Sequence, residues 1–286
     1  MPLSAAVDGF RLAYDRAGSG PPVVLLHGWP GDRQDHREVV PLLTGAADVV
    51  VPDLRGFGES DKHPADPKEA YGAPAQVRSV LGLMDELGLE DVVLSGYDVG
   101  SRVAQAVARA APGRVRALVV TPPLPGAGHR VLRPESQPEF WYQSFHRIAL
   151  SEVLLDGNAD GVLAYLRHFW NHWSAPGWEP DEDALRRLAA HYAPPGAFTA
   201  SIGWYRAGSG MVATSLSETV PEAADRIAVP TTVLWPEHDP IFPREWADRL
   251  GEFFAEVTVL DLPGSGHFAP LETPDGVARA ILAALA

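Results

Sequence analysis

Short, uniformly apolar runs alternate with helix-like patterns towards both ends of the chain. The runs are too brief for helices and too apolar for half-exposed strands, so they are typical of strands buried on both faces of a sheet. Strand–helix–strand units with a parallel sheet produce this alternation. The runs cover residues 23–26, 49–51, 92–94 and 117–120, and residues 231–235 and 257–260 resume the strand pattern.

Apolar residues at helical spacing predict helices over residues 76–87, 101–111 and 277–286. Pro112 and Gly113 directly follow the second of these and form a normal stop signal. The alternation breaks from about Pro122 to Asp225, where aromatic residues, histidines and Pro/Gly breakers accumulate. We therefore predict a core domain built from residues 1–121 and 226–286, with residues 122–225 inserted as a mostly helical cap.

Composition fits one catalytic domain with one insertion, since 46% of the 286 residues are hydrophobic and supply a large core. A net charge of -14 repels phosphates and acidic lipids, so nucleic-acid and membrane partners are not expected. The chain has no cysteine, which excludes disulfides, thiolate metal sites and a cysteine nucleophile. No signal peptide or run of ~20 apolar residues is visible, and we expect a cytoplasmic protein.

The most informative motif is Gly96-x-Asp98-x-Gly100, which lies between a predicted strand and a predicted helix. This is the pattern of a nucleophile elbow, with aspartate in the position that serine usually occupies. An isolated aspartate at a helix start more often caps the helix. Ser101 is an alternative nucleophile, but it falls past the turn and lacks flanking glycines.

Two further residues complete a triad in the order nucleophile, acid, histidine that α/β-hydrolases share. Asp239 lies just past one predicted strand and His267 just past the next. Alone, the first is typical of an Asp-Pro turn and the second of a loop histidine; together with Asp98 they predict a catalytic site. The backbone N–H groups of Trp29 and Val99 are candidates for an oxyanion hole.

These motifs resemble the α/β-hydrolase-fold epoxide hydrolases, in the aspartate-nucleophile branch that also contains haloalkane and haloacid dehalogenases. The resemblance covers nearly the whole chain and implies an α/β-hydrolase fold. It also implies paired ring-opening tyrosines at Tyr142 and Tyr205, with Tyr165 and Tyr192 as competing cap tyrosines. The segments that carry it are 27–30, 53–61, 96–100, 235–239 and 266–268 in the core and 140–146, 168–173 and 204–207 in the cap.

Aspartate at the elbow selects the electrophile. Serine attack on an epoxide carbon would give an ether that water does not cleave, whereas a carboxylate gives an ester that can be hydrolysed. We therefore expect Asp98 to open an epoxide while Tyr142 and Tyr205 assist the oxygen. His267, oriented by Asp239, then activates the water that releases a vicinal diol.

The expected substrate is a small apolar or aromatic epoxide, because aromatic residues are dense in the cap. The side chains predicted to line the pocket are Trp141, Phe145, Phe169 and Trp204. No cofactor is expected, and no metal either, since His168, His172 and His191 lack a convincing ligand set. The predicted assembly is a monomer or a homodimer.

Two alternative functions stay open at this point. In a dehalogenase of the same fold Asp98 would displace halide, but the residue after the nucleophile is Val99 rather than the arginine or tryptophan usual in those enzymes, and Arg102 is the only nearby arginine. A non-catalytic small-ligand binder would not require an ordered triad. A serine esterase is disfavoured by Asp98 itself.

Overall fold

A seven-stranded sheet forms the centre of the protein in the computed structural model, which describes residues 2–286. The strand order is β1-β3-β2-β4-β5-β6-β7, with β1 antiparallel to β3 and every other pair parallel. The parallel strands coincide with the six predicted runs, and the predicted fold class is confirmed. The strands are β1 Tyr14–Gly18, β2 Pro22–Leu26, β3 Asp48–Pro52, β4 Val92–Gly96, β5 Val115–Val120, β6 Thr231–Pro236 and β7 Val257–Leu262.

Strand β1 was not predicted from the sequence. It pairs only with β3, placing Tyr14 opposite Pro52 at one end and Gly18 opposite Asp48 at the other. Only Tyr14 of its five residues is buried. An edge strand that exposes most of its side chains requires no apolar run, so the sequence carries no strong signal for it.

Helices cover both faces of the sheet. Successive side chains of a strand point to opposite faces, and β2 accordingly contributes Val24 and Leu26 to one apolar cluster and Val23 and Leu25 to another. The first cluster includes residues of α3 (Ala73–Glu86) and α4 (Val99–Ala110), and the second includes residues of α13 (Pro274–Leu285). The helices are α1 Val40–Leu43, α2 Pro67–Ala70, α3 Ala73–Glu86, α4 Val99–Ala110, α5 Gln137–Arg147, α6 Ala149–Leu155, α7 Ala159–Trp173, α8 Glu182–Tyr192, α9 Ala197–Ser201, α10 Gly203–Arg206, α11 Met211–Thr214, α12 Ala269–Glu272 and α13 Pro274–Leu285.

The chain between β5 and β6, residues 121–230, contains helices α5 to α11 and is called the helical insertion below. Its contact with the sheet domain uses buried polar groups as well as apolar ones. The Tyr192 hydroxyl donates to the Gly31 carbonyl oxygen (2.8 Å) and accepts from the Gly31 N–H (3.0 Å). Nδ1 of His191 lies 3.0 Å from Oδ2 of Asp32. These contacts fix the insertion beside the loop that follows β2.

Within residues 2–286, none of the helices is both long and apolar enough to cross a bilayer.

Candidate active site

Asp98 occupies a strained turn between β4 and α4. Its φ is +48°, a conformation that non-glycine residues rarely adopt and that is typically kept at functional sites. The side chain is 4% exposed and makes no capping hydrogen bond to the first turn of α4. The carboxylate is therefore held at the carboxyl edge of the sheet without being used as a helix cap.

The two glycines of the elbow are required by close packing. A Cβ on Gly96 would lie 2.5 Å from the carbonyl carbon of Gly100, and one on Gly100 would overlap the carbonyl oxygen of Leu26 in β2. Neither position has room for a larger residue. The Gly-x-Asp-x-Gly pattern thus reflects a helix start pressed against the neighbouring strand, which leaves Asp98 as the one side chain projecting from the turn.

Asp98, His267 and Asp239 lie together, each just after the carboxyl end of its strand. Nδ1 of His267 lies 2.9 Å from Oδ2 of Asp239, and Nε2 lies 3.6 Å from Oδ2 of Asp98. The other oxygen of Asp239 accepts the N–H of Ile241 at 2.9 Å. A carboxylate on Nδ1 fixes the orientation of the ring and directs Nε2 towards the elbow.

The protonation of His267 follows from these charges. Burial alone lowers its pKa, but the negative charges of Asp239 and Asp98 outweigh burial and raise the pKa to about 10. The imidazole is therefore a cation held between two carboxylates. Removal of one of these negative charges would lower the pKa of the imidazole.

The loop after β2 places a backbone donor on the same carboxylate. The Trp29 N–H donates to Oδ1 of Asp98 at 2.8 Å. The preceding His27 holds this loop: its Nε2 accepts the Leu54 N–H (3.0 Å), so its Nδ1–H donates to the Gly28 carbonyl oxygen (2.9 Å). Burial lowers the pKa of His27, consistent with this neutral form.

Val99, the other residue predicted for the oxyanion hole, is the first residue of α4 and lines the same small cavity as Asp98. The first N–H groups of a helix have no intrahelical partner and carry partial positive charge. The structure thus places the Trp29 N–H on the Asp98 carboxylate and Val99 in the lining of the cavity beside it.

Tyr142 in α5 and Tyr205 in α10 both line the cavity at Asp98. Their ring centroids are 5.5 Å apart, and the Tyr142 ring stacks on Trp29 at 5.6 Å. The Tyr142 hydroxyl accepts from Nε2 of Gln143 (3.1 Å). Burial, together with the charge of Asp98, raises the pKa of both phenols. Both hydroxyls are therefore neutral and able to donate a proton.

The competing tyrosines have other partners. The Tyr165 hydroxyl lies 3.0 Å from Nε2 of His146, and the Tyr192 hydroxyl is occupied by both backbone groups of Gly31. These interactions fix side chains within the helical insertion and at its junction with the core. They leave Tyr142 and Tyr205 as the tyrosines that face Asp98.

Four buried polar atoms in residues that contact Asp98 or the two cavity tyrosines have no hydrogen-bond partner among the described residues: Nε1 of Trp29, Nδ1 of His146, the hydroxyl of Tyr205 and Nε2 of His267. Buried polar groups are nearly always paired in folded proteins. A cluster of such groups around one carboxylate is typical of a site at which polar atoms of a ligand complete the hydrogen bonding.

Comparison with known families agrees with this geometry. The profile of the alpha/beta hydrolase fold family matches residues 21–274. The chain belongs to this family. This α/β-hydrolase is 28% identical to the soluble epoxide hydrolase of Corynebacterium sp. (strain C12) over 290 residues, which cover 96% of the chain and 93% of that relative.

A dehalogenase is similar at the same level. The fluoroacetate dehalogenase of Burkholderia sp. is 29% identical over 276 residues, which cover 92% of this α/β-hydrolase and 86% of the relative. Among solved structures, the ligand-free epoxide hydrolase CorEH superposes with a TM-score of 0.83 at 26% identity, covering 98% of the chain and 96% of the compared chain. The protein is accordingly a hydrolase.

The four aromatic residues predicted to line the substrate pocket occupy different positions. Trp204 lines the cavity at Asp98. Phe169 is buried behind it, with its ring 4.9 Å from that of Trp29. Trp141 is 41% exposed and packs against Phe145 and Phe169. Neither Trp141 nor the half-buried Phe145 lines the cavity at Asp98, so the structure does not place these two predicted residues at the site.

Further side chains of the hydrolase line the cavity without having been predicted, namely Gln143, Met211 and Phe242. Phe242 lies three residues after Asp239 in the same loop, so its closeness to a predicted acid was the one available signal. Met211 follows Gly210 at the start of a short helix, where the sequence has no motif.

Ser101, the alternative nucleophile, is fully buried in α4. Its hydroxyl donates to the carbonyl oxygen of Thr121 at 2.5 Å and accepts from Nε2 of Gln105 at 3.0 Å. The hydroxyl therefore fastens α4 to the end of β5, and Ser101 does not line the cavity at Asp98.

Glu272 in α12 is a residue of the site that sequence reasoning missed. Its carboxylate accepts the N–H groups of Ala175 (2.7 Å), Gly266 (2.8 Å) and Phe268 (2.9 Å). Two of these donors flank His267, and Ala175 follows α7. Glu272 therefore ties the histidine loop of this α/β-hydrolase to the helical insertion.

Proposed function

We propose that this α/β-hydrolase converts an epoxide to a vicinal diol through a covalent ester on Asp98. The observation that carries the proposal is the shared cavity, in which two neutral phenols, Tyr142 and Tyr205, face a buried carboxylate. Proton donors opposite a nucleophile suit a leaving group that departs as an oxyanion. Relatives named as epoxide hydrolases support the same reaction class.

In the first step a carboxylate oxygen of Asp98 forms a bond to one ring carbon, and the C–O bond of the ring breaks. The departing oxygen takes a proton from Tyr142 or Tyr205, with the other hydroxyl donating a hydrogen bond. General-acid assistance of this kind is typically worth ~100- to 10,000-fold in rate. The products of the step are a neutral ester on Asp98 and a tyrosinate.

The second step requires His267 as a base. Esterification removes the charge of Asp98, so the pKa of His267 falls and its proton restores the tyrosine. Neutral His267 then takes a proton from water, which attacks the ester carbonyl, while the N–H groups of Trp29 and Val99 stabilise the oxyanion. The diol leaves, Asp98 is again a carboxylate and His267 is again a cation, so protons balance over the cycle.

In this proposal the predicted cap, residues 122–225 of the helical insertion, acts as a lid over Asp98. It carries both tyrosines, whereas Asp98, Asp239 and His267 belong to the sheet domain. Substrate binding under the lid excludes bulk water and strengthens the interactions of the donors with the developing charge.

The test uses a His267→Gln variant, which stalls before ester hydrolysis. Its intact mass is recorded after exposure to styrene oxide and, separately, to fluoroacetate. We expect a gain equal to the full mass of the epoxide, located in the peptide that contains Asp98, and no gain in a variant that also carries Asp98→Asn. An adduct from fluoroacetate alone would identify a dehalogenase instead. The absence of an adduct with both compounds would contradict covalent catalysis on either substrate.

A further inference from the structure

A second, larger cavity adjoins the one at Asp98. It has a volume of about 540 Å³ and lies between α4 and the part of the helical insertion that follows α10. Three residues, Arg102, Trp204 and Ser209, line both cavities. These side chains therefore form the boundary between the two spaces.

The inner cavity has a volume of only about 10 Å³. A volume of this size holds about one water molecule. The body of a substrate therefore does not fit in the space beside Asp98. The outer cavity is large enough for the remainder of a small molecule.

The outer cavity is positively charged in a protein whose net charge is -14. Its charged lining residues are Arg102, Arg109 and Glu218. Arg109 donates to the carbonyl oxygen of Asp225 at 3.2 Å. The excess of cationic groups over anionic ones indicates a compartment suited to an anion.

Arg102 is the distinctive member of this lining. Its guanidinium forms no hydrogen bond with any residue in 2–286; burial lowers its pKa, and Glu218 and Arg109 act on it only through their charges. Arginine stays protonated in proteins, and this side chain is half-buried at the boundary of the two cavities, so its donors are available to an anion there. Arg102 lies one turn of α4 after Asp98, about 6 Å along the helix axis, and therefore on the same side of the helix.

We propose that the natural epoxide carries a carboxylate, which Arg102 binds in the outer cavity while the ring lies against Asp98. This inference rests on the proposed epoxide hydrolysis and adds the substrate class. An arginine fork matches the two oxygens of a carboxylate, and the helical spacing fits a spacer of a few carbon atoms between the carboxylate and the ring. The sequence-based expectation of an apolar or aromatic substrate would then apply only to the part of the substrate between its ring and its carboxylate.

The experiment compares two epoxides of equal chain length, 5,6-epoxyhexanoate and 1,2-epoxyhexane. In the unmodified protein we expect kcat/KM to be roughly 10- to 100-fold higher for the carboxylate, the factor usual for a hydrogen bond to a charged group. Arg102→Gln should reduce this preference to about one. Arg16→Gln, which removes an exposed arginine paired with Asp48 at the far edge of the sheet, is the matched control and should keep the preference.

Three results would overturn the proposal: equal use of both epoxides by the unmodified protein, an unchanged preference after Arg102→Gln, or an equal loss in the control. If Arg102→Gln lowers Tm so far that it does not fold, Arg102→Lys takes its place and should retain a reduced preference. In the unmodified protein and in Arg102→Lys, the preference for 5,6-epoxyhexanoate should weaken at high salt, because salt screens the ion pair between the side chain and the carboxylate.

Failure of this inference is distinguishable from failure of the proposed function. The same two epoxides are applied to the His267→Gln variant, and the ester on Asp98 is followed by intact mass. Alkylation by neither compound would refute epoxide hydrolysis itself for this substrate pair. Alkylation of Asp98 at equal rates by the two epoxides would be compatible with epoxide hydrolysis. It would refute only the proposal that Arg102 binds a carboxylate of the substrate.

Discussion

Replacing Asp98 by asparagine should lower the pKa of His267 from about 10 to about 7. The substitution keeps the size of the side chain and removes its charge. The charge lies 3.6 Å from Nε2 of His267. At an effective dielectric constant of about 20, two unit charges at that separation attract by roughly 5 kcal/mol, which corresponds to a change of about 3 in the pKa.

The same loss of charge occurs when Asp98 becomes an ester, so the asparagine variant reproduces the electrostatics of the proposed intermediate. A pKa near 7 would leave roughly half of His267 neutral at physiological pH, as a general base requires. The enzyme would then generate its base only after the nucleophile has reacted. This order prevents His267 from activating water before a substrate is bound.

The measurement is an NMR titration of the His267 imidazole between about pH 5 and pH 11 in proteins labelled at histidine. Glu237→Gln is the matched control, because this exposed carboxylate accepts the N–H of Gly264 in the same loop without contacting the imidazole. The control should leave the pKa of His267 unchanged. A value that stays above about 9 in the Asp98→Asn protein would refute the reasoning and assign the proton to Asp239 alone.

The pH dependence of stability provides an independent check. The folded-state pKa of His267 lies above its ordinary value of 6.5, so the ion pairs contribute fully below that pH and are lost as the pH rises through about 10. The free energy of unfolding should therefore fall across this window. In the Asp98→Asn protein, the decrease in the free energy of unfolding that is caused by deprotonation of His267 should be complete near neutral pH.

Three further substitutions test separate parts of the site. Tyr205→Phe should lower kcat/KM ~100- to 10,000-fold with little change in the free energy of unfolding, because among residues 2–286 the buried hydroxyl interacts only with the neighbouring Tyr142 hydroxyl; a loss below tenfold in steady-state kinetics would argue against general-acid catalysis by this residue. Ser101→Ala should leave turnover within about twofold and cost about 1 kcal/mol in urea unfolding, whereas loss of ester formation would restore the serine hypothesis. Glu272→Gln should lower stability by roughly 1–3 kcal/mol and slow hydrolysis of the ester more than its formation; equal slowing of both steps in a mass-spectrometric time course would contradict its proposed part in positioning His267.

The sequence predicted those features of the fold that depend on local composition. Runs of apolar residues identify parallel strands because such strands are buried on both faces. The elbow was visible because close packing leaves room for glycine alone at positions 96 and 100. Strand β1 escaped prediction because it lies at the sheet edge and exposes most of its side chains.

Side-chain direction was harder to predict. Trp141 and Tyr142 are adjacent in α5, yet Trp141 is 41% exposed while Tyr142 is 2% exposed. Neighbouring residues on a helix point about 100° apart, and only the docking of α5 decides which one faces Asp98. The contacts of Glu272 and the position of Arg102 between two cavities likewise depend on elements distant in the chain, for which the sequence has no local signal.

The division of the site between two parts of the chain has an evolutionary consequence. Under the proposed mechanism the nucleophile, its base and the oxyanion donors belong to the sheet domain, while both donors to the departing atom come from one continuous insertion between β5 and β6. Changes confined to that insertion alter which leaving atom is stabilised and leave formation and hydrolysis of the ester intact. A scaffold of this kind can therefore change its target from a C–O bond to a carbon–halogen bond by varying about one hundred contiguous residues together with the residue after the nucleophile, here Val99, while its sheet and its triad stay unchanged.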